Sequence, residues 1–160
     1  MLAIDPGING CGVAEFDNGV LGCAYYVPAT ERAQAYSSRR AYDMAAKVMA
    51  YRRESSPLVE GWVEWPQVYR AGRSKGDPND LLLVAGVAGA LGFNSVLPAE
   101  WKGQLPKEVV MQRVKAALSY YELGCVELPA KSLQHNVWDA IGIGLFACGR
   151  FNPRRGHGSR

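Results

Sequence analysis

The chain has 160 residues, 48% of them apolar and 21% charged, with a formal net charge of +3 and a sequence pI near 8.7. That composition excludes a disordered or fibrous chain, and the length suits one domain with a packed core. The charge excess is mild and does not by itself demand a polyanionic partner.

The four cysteines, Cys11, Cys23, Cys125 and Cys148, make no C-x-x-C pair, and the two histidines complete no zinc pattern. Reduced, buried thiols are expected. The start, Met1-Leu2-Ala3-Ile4-Asp5, lacks a charged leader and meets a carboxylate at once, so no secretion signal is expected. The longest apolar run, Leu81 to Phe93, is too short to span a bilayer. A soluble, cytoplasmic protein with no membrane partner is the expectation.

In chain order, Leu2 to Ile4 reads as a strand, and Asp5-Pro6-Gly7-Ile8-Asn9-Gly10 is dense in turn residues. Gly12 to Phe16 is a second strand. Asp17-Asn18-Gly19 signals a hairpin into a third, Val20 to Val27. A helix follows from about Arg32 to Arg53, with Ala41, Met44, Ala45 and Val48 on one face. Leu58 to Glu64 reads as a buried parallel strand. Pro66 to Asn79 is a polar loop. The helix from about Asp80 to Gly92 is apolar nearly all round and must be buried, in the core or against a second subunit. Val96-Leu97 is a short strand. A helix from Pro106 to Gly124 lines up Val110, Val114, Ala117, Leu118 and Tyr121, and a last helix runs from about His135 to Gly149. The order predicts an α/β fold: a mixed five-stranded sheet, three strands antiparallel and then two parallel, with helices on both faces. The domain is expected over residues 1–151. Residues 152–160 form a basic tail, and the last eleven residues hold Arg150, Arg154, Arg155 and Arg160.

Three carboxylates carry the candidate chemistry. Asp5 and Glu64 each end a strand, where open α/β sheets gather their functional groups. His135, Asn136 and Asp139 open the last helix, and the spacings 135/139 and 136/139 put these side chains on one face. If that helix packs its first turn on the strand ends, Asp5, Glu64 and Asp139 converge. Such a group stays ionised only beside cations, and hard oxygen ligands select Mg²⁺ or Mn²⁺. Two such ions roughly 3.5–4 Å apart clamp the attacking and leaving oxygens of a phosphodiester.

The stretch Leu2-Ala3-Ile4-Asp5-Pro6-Gly7-Ile8-Asn9-Gly10-Cys11-Gly12-Val13-Ala14 resembles the opening of the RuvC-type Holliday junction resolvases. Val63-Glu64 followed by Gln67-Val68-Tyr69 resembles their second acidic motif, with Trp65 and Pro66 as extra residues. Gly86-Val87-Ala88-Gly89 and Asp139-Ala140-Ile141-Gly142-Ile143-Gly144 resemble two later helices of that family. The short length and the lack of extra domains look more like phage-encoded members than the bacterial housekeeping enzyme. The resemblance implies an RNase H-like fold and a DNA endonuclease that resolves four-way junctions by paired, metal-dependent nicks. It implies two Mg²⁺ or Mn²⁺ ions per active site, held by Asp5, Glu64, Asp139 and one more residue of the last helix. Members carry Asp or His three residues before the final Asp, where this chain has Asn136. Either His135 serves from one position earlier, the reading favoured here, or Asn136 weakens catalysis.

The resemblance further implies branched DNA as partner and a homodimer, with the Leu81 to Leu91 helix as interface. Its small residues Ala85, Gly86 and Gly89 would admit a partner helix, while packing within the monomer is an equal alternative. Arg70, Arg73 and Lys75 are candidate phosphate contacts, Tyr69 a candidate for stacking on a base, and Lys102 and Lys107 candidates for approach to the scissile phosphate. Two rival readings stay open: an RNase H-like enzyme acting on RNA, and a catalytically weak junction-binding protein. A kinase-like ATPase half shares the first motif but needs a longer chain.

Overall fold

Strand β1 (Leu2–Gly7) runs up the middle of the sheet and turns at Ile8-Asn9 into β2 (Gly10–Asp17). Asn18 and Gly19 follow with φ of 49° and 80°, the two positive angles of a tight hairpin turn, and β3 (Val20–Pro28) returns beside β2. The computed structural model describes residues 1–29, 38–51, 60–68 and 77–152. Within them α1 (Ser38–Tyr51) precedes β4 (Gly61–Glu64), and α2 (Pro78–Leu91) precedes β5 (Asn94–Val96). A short α3 (Pro98–Trp101), α4 (Lys107–Ala116), α5 (Tyr120–Gly124) and α6 (Gln134–Ala147) complete the chain. The sheet order is β3-β2-β1-β4-β5, antiparallel from β3 to β1 and parallel from β1 to β5. This is the mixed five-stranded sheet of the RNase H-like fold.

Strand alternation separates two cores. Leu2, Ile4, Val13, Tyr25 and Val63 point to one face and pack with Ala41, Met44 and Val48 of α1 and Leu83 and Val87 of α2. Ala3, Ala14 and Ala24 point to the other, beneath Val137, Ala140, Ile141 and Ile143 of α6 and Val110 and Val114 of α4. These three alanines form a lateral row, Ala3 opposite Ala14 and Ala14 opposite Ala24. So small a row lets α6 lie close on the sheet. At Gly12 the approach is closest, because a methyl group there would sit 1.9 Å from the Asn136 carbonyl oxygen.

The structure corrects several expectations. The apolar spacing through Val110, Val114, Leu118 and Tyr121 suggested one helix, but the chain breaks after Ala116. Ser119 begins α5 with a reciprocal cap, its hydroxyl accepting from the Glu122 N–H at 3.3 Å and its own N–H donating to Glu122 Oε2 at 2.8 Å. The short strand is Asn94–Val96, and Leu97 instead caps the unforeseen α3. Helix α2 is buried only along Leu83, Val87 and Ala88, whereas Leu82 is 70% exposed. Of the four cysteines only Cys11 and Cys23 are buried, and none of the four is in a disulfide. No helix among the described residues is long and apolar enough to cross a membrane.

At the end of the sheet away from Asp5, Glu122 gathers the chain. Its Oε1 accepts from the Leu21 N–H at 3.0 Å and from Arg150 at 2.6 Å, while its Oε2 accepts from Arg150 at 3.0 Å. Arg150 also donates to the carbonyls of Gly19 and Ala117 at 2.7 and 2.9 Å. One carboxylate thus ties the β2–β3 hairpin, the cap of α5 and the end of the last helix together. Arg150 is therefore a structural residue rather than part of a free basic tail, and Arg154, Arg155 and Arg160 lie outside the described residues. The Arg150 guanidinium holds the Glu122 carboxyl well below the usual carboxylate range. That stabilisation is complete above the ordinary glutamate pKa of about 4.3 and is lost as pH falls toward the depressed value. Breaking a buried pair costs roughly 3–5 kcal/mol. The Arg150 side chain is 31% exposed against 3% for Glu122. Solvent relieves part of the loss, so Glu122→Ala is expected to lower stability by about 2–3 kcal/mol. Urea melts at pH 7 and pH 3 check this. The difference between wild type and Glu122→Gln should shrink at the acid end, and an equal difference at both would refute the role of the charge.

Candidate metal centre

Asp5 and Glu64 occupy equivalent places on neighbouring parallel strands. Ile4 is in register with Val63, and each acid is the next residue on. Asp5 shares its side of β1 with Ala3, the side covered by α6, and lies opposite Gly12 of β2. Because Gly12 has no side chain, the first turn of α6 comes down on this spot and delivers Asp139. Ligand oxygens of Asp5, Glu64 and Asp139 all lie within 4.8 Å of one another. The expected convergence is thus present, although only Glu64 ends its strand: β1 continues past Asp5 to Gly7, because Pro6 and Gly7 still pair with Cys11 and Gly10.

Burial, then the charges of Glu64 and Asp139, raise the Asp5 pKa well above its ordinary value, against the pull of Lys102 and Lys107. Burial also raises Glu64, although Lys102 and the Trp101 indole lower it in part. Lys102 sits among these acids, its Nζ 3.0 Å from Glu64 Oε2 and 2.9 Å from Asp139 Oδ2. Burial alone would lower its pKa, but Glu64, Asp139 and Asp5 outweigh burial and hold it above the usual lysine range. The group therefore fits a cation. Its donors are hard carboxylate oxygens, and an ammonium already bridges two of them.

The remaining residues divide. Asn136 is buried against the first hairpin, and a methyl group at Gly7 would come within 3.2 Å of its Nδ2. His135 is not among the clustered acids. It lines an adjoining cavity of about 280 Å³ with Lys102, Leu105, Lys107, Val110 and Asp139. Burial, then the charge of Lys107, lowers its pKa. Lys107 opens α4 on the same cavity. Tyr69, Arg70, Arg73 and Lys75 lie outside the described residues. Trp101 escaped the sequence reading, yet its indole N–H donates to Glu64 Oε2 at 2.6 Å. Only its place one residue before Lys102 hinted at it.

Raised carboxylate pKa values carry a cost that is full above the folded-state pKa, fades as pH falls from there toward the unfolded value of about 4, and is gone below it. Asp5→Asn is therefore expected to stabilise the protein in chelator at pH 7. The gain should be on the order of 1 kcal/mol, a melting temperature higher by about 2–4 °C. Thermal melts at pH 7 and pH 4 check the sign, and a variant less stable at pH 7 would contradict it.

No protein-family model matches the chain, and no curated protein matches it by sequence. Among the solved structures that resemble it are two of RuvC. Against T. thermophilus RuvC in complex with a Holliday junction substrate the identity is 22% and the TM-score 0.55, over 95% of this chain and 97% of that one. Against a second Thermus thermophilus RuvC structure the identity is 21% and the TM-score 0.52, over 95% and 98% of the two chains. At such identities the likeness is one of fold, and it spans nearly the whole molecule: the chain has a RuvC-like resolvase fold.

Proposed function

We propose that this protein is a structure-selective DNA endonuclease that resolves four-way junctions by metal-dependent hydrolysis, acting as a homodimer that makes paired, symmetric nicks. The observation that carries this reading is the convergence of Asp5, Glu64 and Asp139 at one end of a RuvC-like sheet. The RuvC of similar fold that was solved with a Holliday junction substrate supports the choice of DNA partner.

Asp5, Glu64 and Asp139 are the residues that would hold Mg²⁺ or Mn²⁺, with Asn136 and His135 beside them on α6. Two such ions would supply a water of lowered pKa and charge to stabilise the leaving 3′-oxygen. Lys102 and Lys107 bring positive charge to the mouth of the site, where a scissile phosphate has to enter. His135 on the cavity wall is assigned to proton transfer, since burial and the charge of Lys107 favour the neutral imidazole that accepts a proton. Water adds to phosphorus, the bond to the 3′-oxygen breaks, and that oxygen takes up a proton. The products are a 5′-phosphate and a 3′-hydroxyl. The loop holding Tyr69, Arg70, Arg73 and Lys75 is assigned to junction contacts, and the basic tail of residues 152–160 to a separate segment. The exposed side of α2, including Leu82, Gly89 and Ala90, is the surface assigned to the second copy. A junction has near two-fold symmetry, and a two-fold dimer presents its sites to opposed strands.

Asn136 favours a second reading, a junction-binding protein of weak activity, because a neutral amide replaces a charged or imidazole ligand. The test is incubation with a synthetic four-way junction, a duplex and an RNA–DNA hybrid, each with and without Mg²⁺ or Mn²⁺. Paired metal-dependent nicks on the junction are expected, falling at least about 100-fold in Asp5→Asn and Glu64→Gln, the scale on which removing one charge-stabilising group acts. Tight junction binding without cutting, with cutting gained in Asn136→Asp, would establish the second reading. Cutting of the hybrid alone would reject both in favour of an RNA-processing enzyme.

A further inference from the structure

Helix α3 spans four residues, yet it is fixed at its start. Pro98 opens it, the Leu97 N–H donates to Glu100 Oε2 at 2.7 Å, and the Glu100 N–H returns to the Leu97 carbonyl at 2.9 Å. The last residue of this turn is Trp101, which is 0% exposed. Its ring lies 6.3 Å from that of Phe151 and runs beneath α6, where a methyl group at Gly142 would meet its Cζ3 at 2.3 Å. Gly142 stands three residues after Asp139, on the same side of α6. The helix that delivers one acid therefore also makes room for the indole that bonds another.

A large apolar side chain would fill this core position equally well. What tryptophan adds is one N–H, and here that N–H donates to Glu64 Oε2 at 2.6 Å. The last torsion of a glutamate is broad, and the Lys102 ammonium that also meets this carboxylate is a point charge on a flexible stem that contacts both of its oxygens. A bond to one oxygen stops rotation about that torsion and supplies a donor to an anion that burial disfavours.

We propose that Trp101 is a positioning residue for Glu64, fixing the orientation in which its carboxylate meets those of Asp5 and Asp139 to receive a cation. This rests on the metal-centre reading above. Trp101 is fully buried and acts through Glu64, while its ring also lies 4.8 Å beneath the Lys102 ammonium that bridges Glu64 and Asp139.

Two measurements test it. In metal-free, ¹⁵N-labelled protein, the Trp101 indole proton, assigned through the Trp101 backbone amide, should resonate downfield and move upfield in Glu64→Gln. Calorimetric titration with Mn²⁺ should show Trp101→Phe binding about 10–100-fold more weakly than wild type while still melting cooperatively. Trp101→Leu should lose as much. Wild-type Mn²⁺ affinity in Trp101→Phe would overturn the proposal, as would an indole resonance indifferent to Glu64→Gln or a loss confined to Trp101→Leu. If wild type itself bound no Mn²⁺, the metal-centre reading would fall. The indole resonance would then decide alone whether Trp101 holds Glu64, since it is read without metal and survives a Trp101→Phe chain that does not fold.

Discussion

Three carboxylates held within 4.8 Å of one another, one of them buried, set the constraint on which this structure turns. At an effective dielectric near 20, two unit charges at that separation repel by roughly 3–4 kcal/mol. A hydrogen bond to a charged group contributes about 1.5–3 kcal/mol, against repulsion summed over three such pairs. The Trp101 N–H can therefore orient Glu64 but cannot offset the repulsion, and only opposite charge can. Lys102 supplies it, with Nζ near 3 Å from both Glu64 and Asp139. An ammonium carries one positive charge where three negative ones meet, so the balance stays negative. That residual charge is what raises the Asp5 pKa once burial has begun to do so, and it is also what makes the place attractive to a divalent cation.

The scaffold around this site follows from bringing the acids together. Helix α6 has to lie close on the sheet for Asp139 to reach Asp5, and close packing needs small residues beneath it. Ala3, Ala14, Ala24 and Gly12 meet that need on the sheet, and Gly144 does so on the helix, where a methyl group would run into the Phe16 ring of β2. Small residues bury little apolar area, so stability is gathered from other residues. Phe16, Trp101, Trp138, Ile141 and Leu145 fill the same core around them, and the far end of the sheet is tied by Glu122 and Arg150. Electrostatic cost is thereby separated in space from its compensation: on the proposed function the costly end of the sheet binds, and the opposite end holds the fold.

Asp5, Glu64 and Asp139 were legible in the sequence because strand ends and helical spacing are local properties. So was the sheet, since a turn-rich meander followed by alternating helices and strands leaves few topologies. The Glu122–Arg150 pair was not legible, for its partners come from four separate stretches and its spacing carries no period. Trp101 was hidden for the same reason, standing 37 residues from Glu64. The break between α4 and α5 was legible and was passed over. Ser119-Tyr120-Tyr121-Glu122 is a capping box, but the apolar period ran through it and the stronger pattern masked the weaker. The α2 helix shows the converse limit. Its uniform apolarity says that it avoids water, not which side it buries.

Asn136 bears on what a fold-level likeness can carry. Its main chain packs on Gly12 and its amide on Gly7, so the position is fixed by the hairpin whatever its side chain. An amide there leaves the site with three formal negative charges, where the resemblance allows a fourth. Lys102 and Lys107 stay in place, so they weigh more against fewer acids. On the proposed function, the balance at the mouth shifts toward attraction of phosphate and away from attraction of cations. Binding and cutting draw on opposite charges in the same few ångströms. A single side chain on the first turn of α6 therefore moves them in opposite directions without disturbing the fold that serves both.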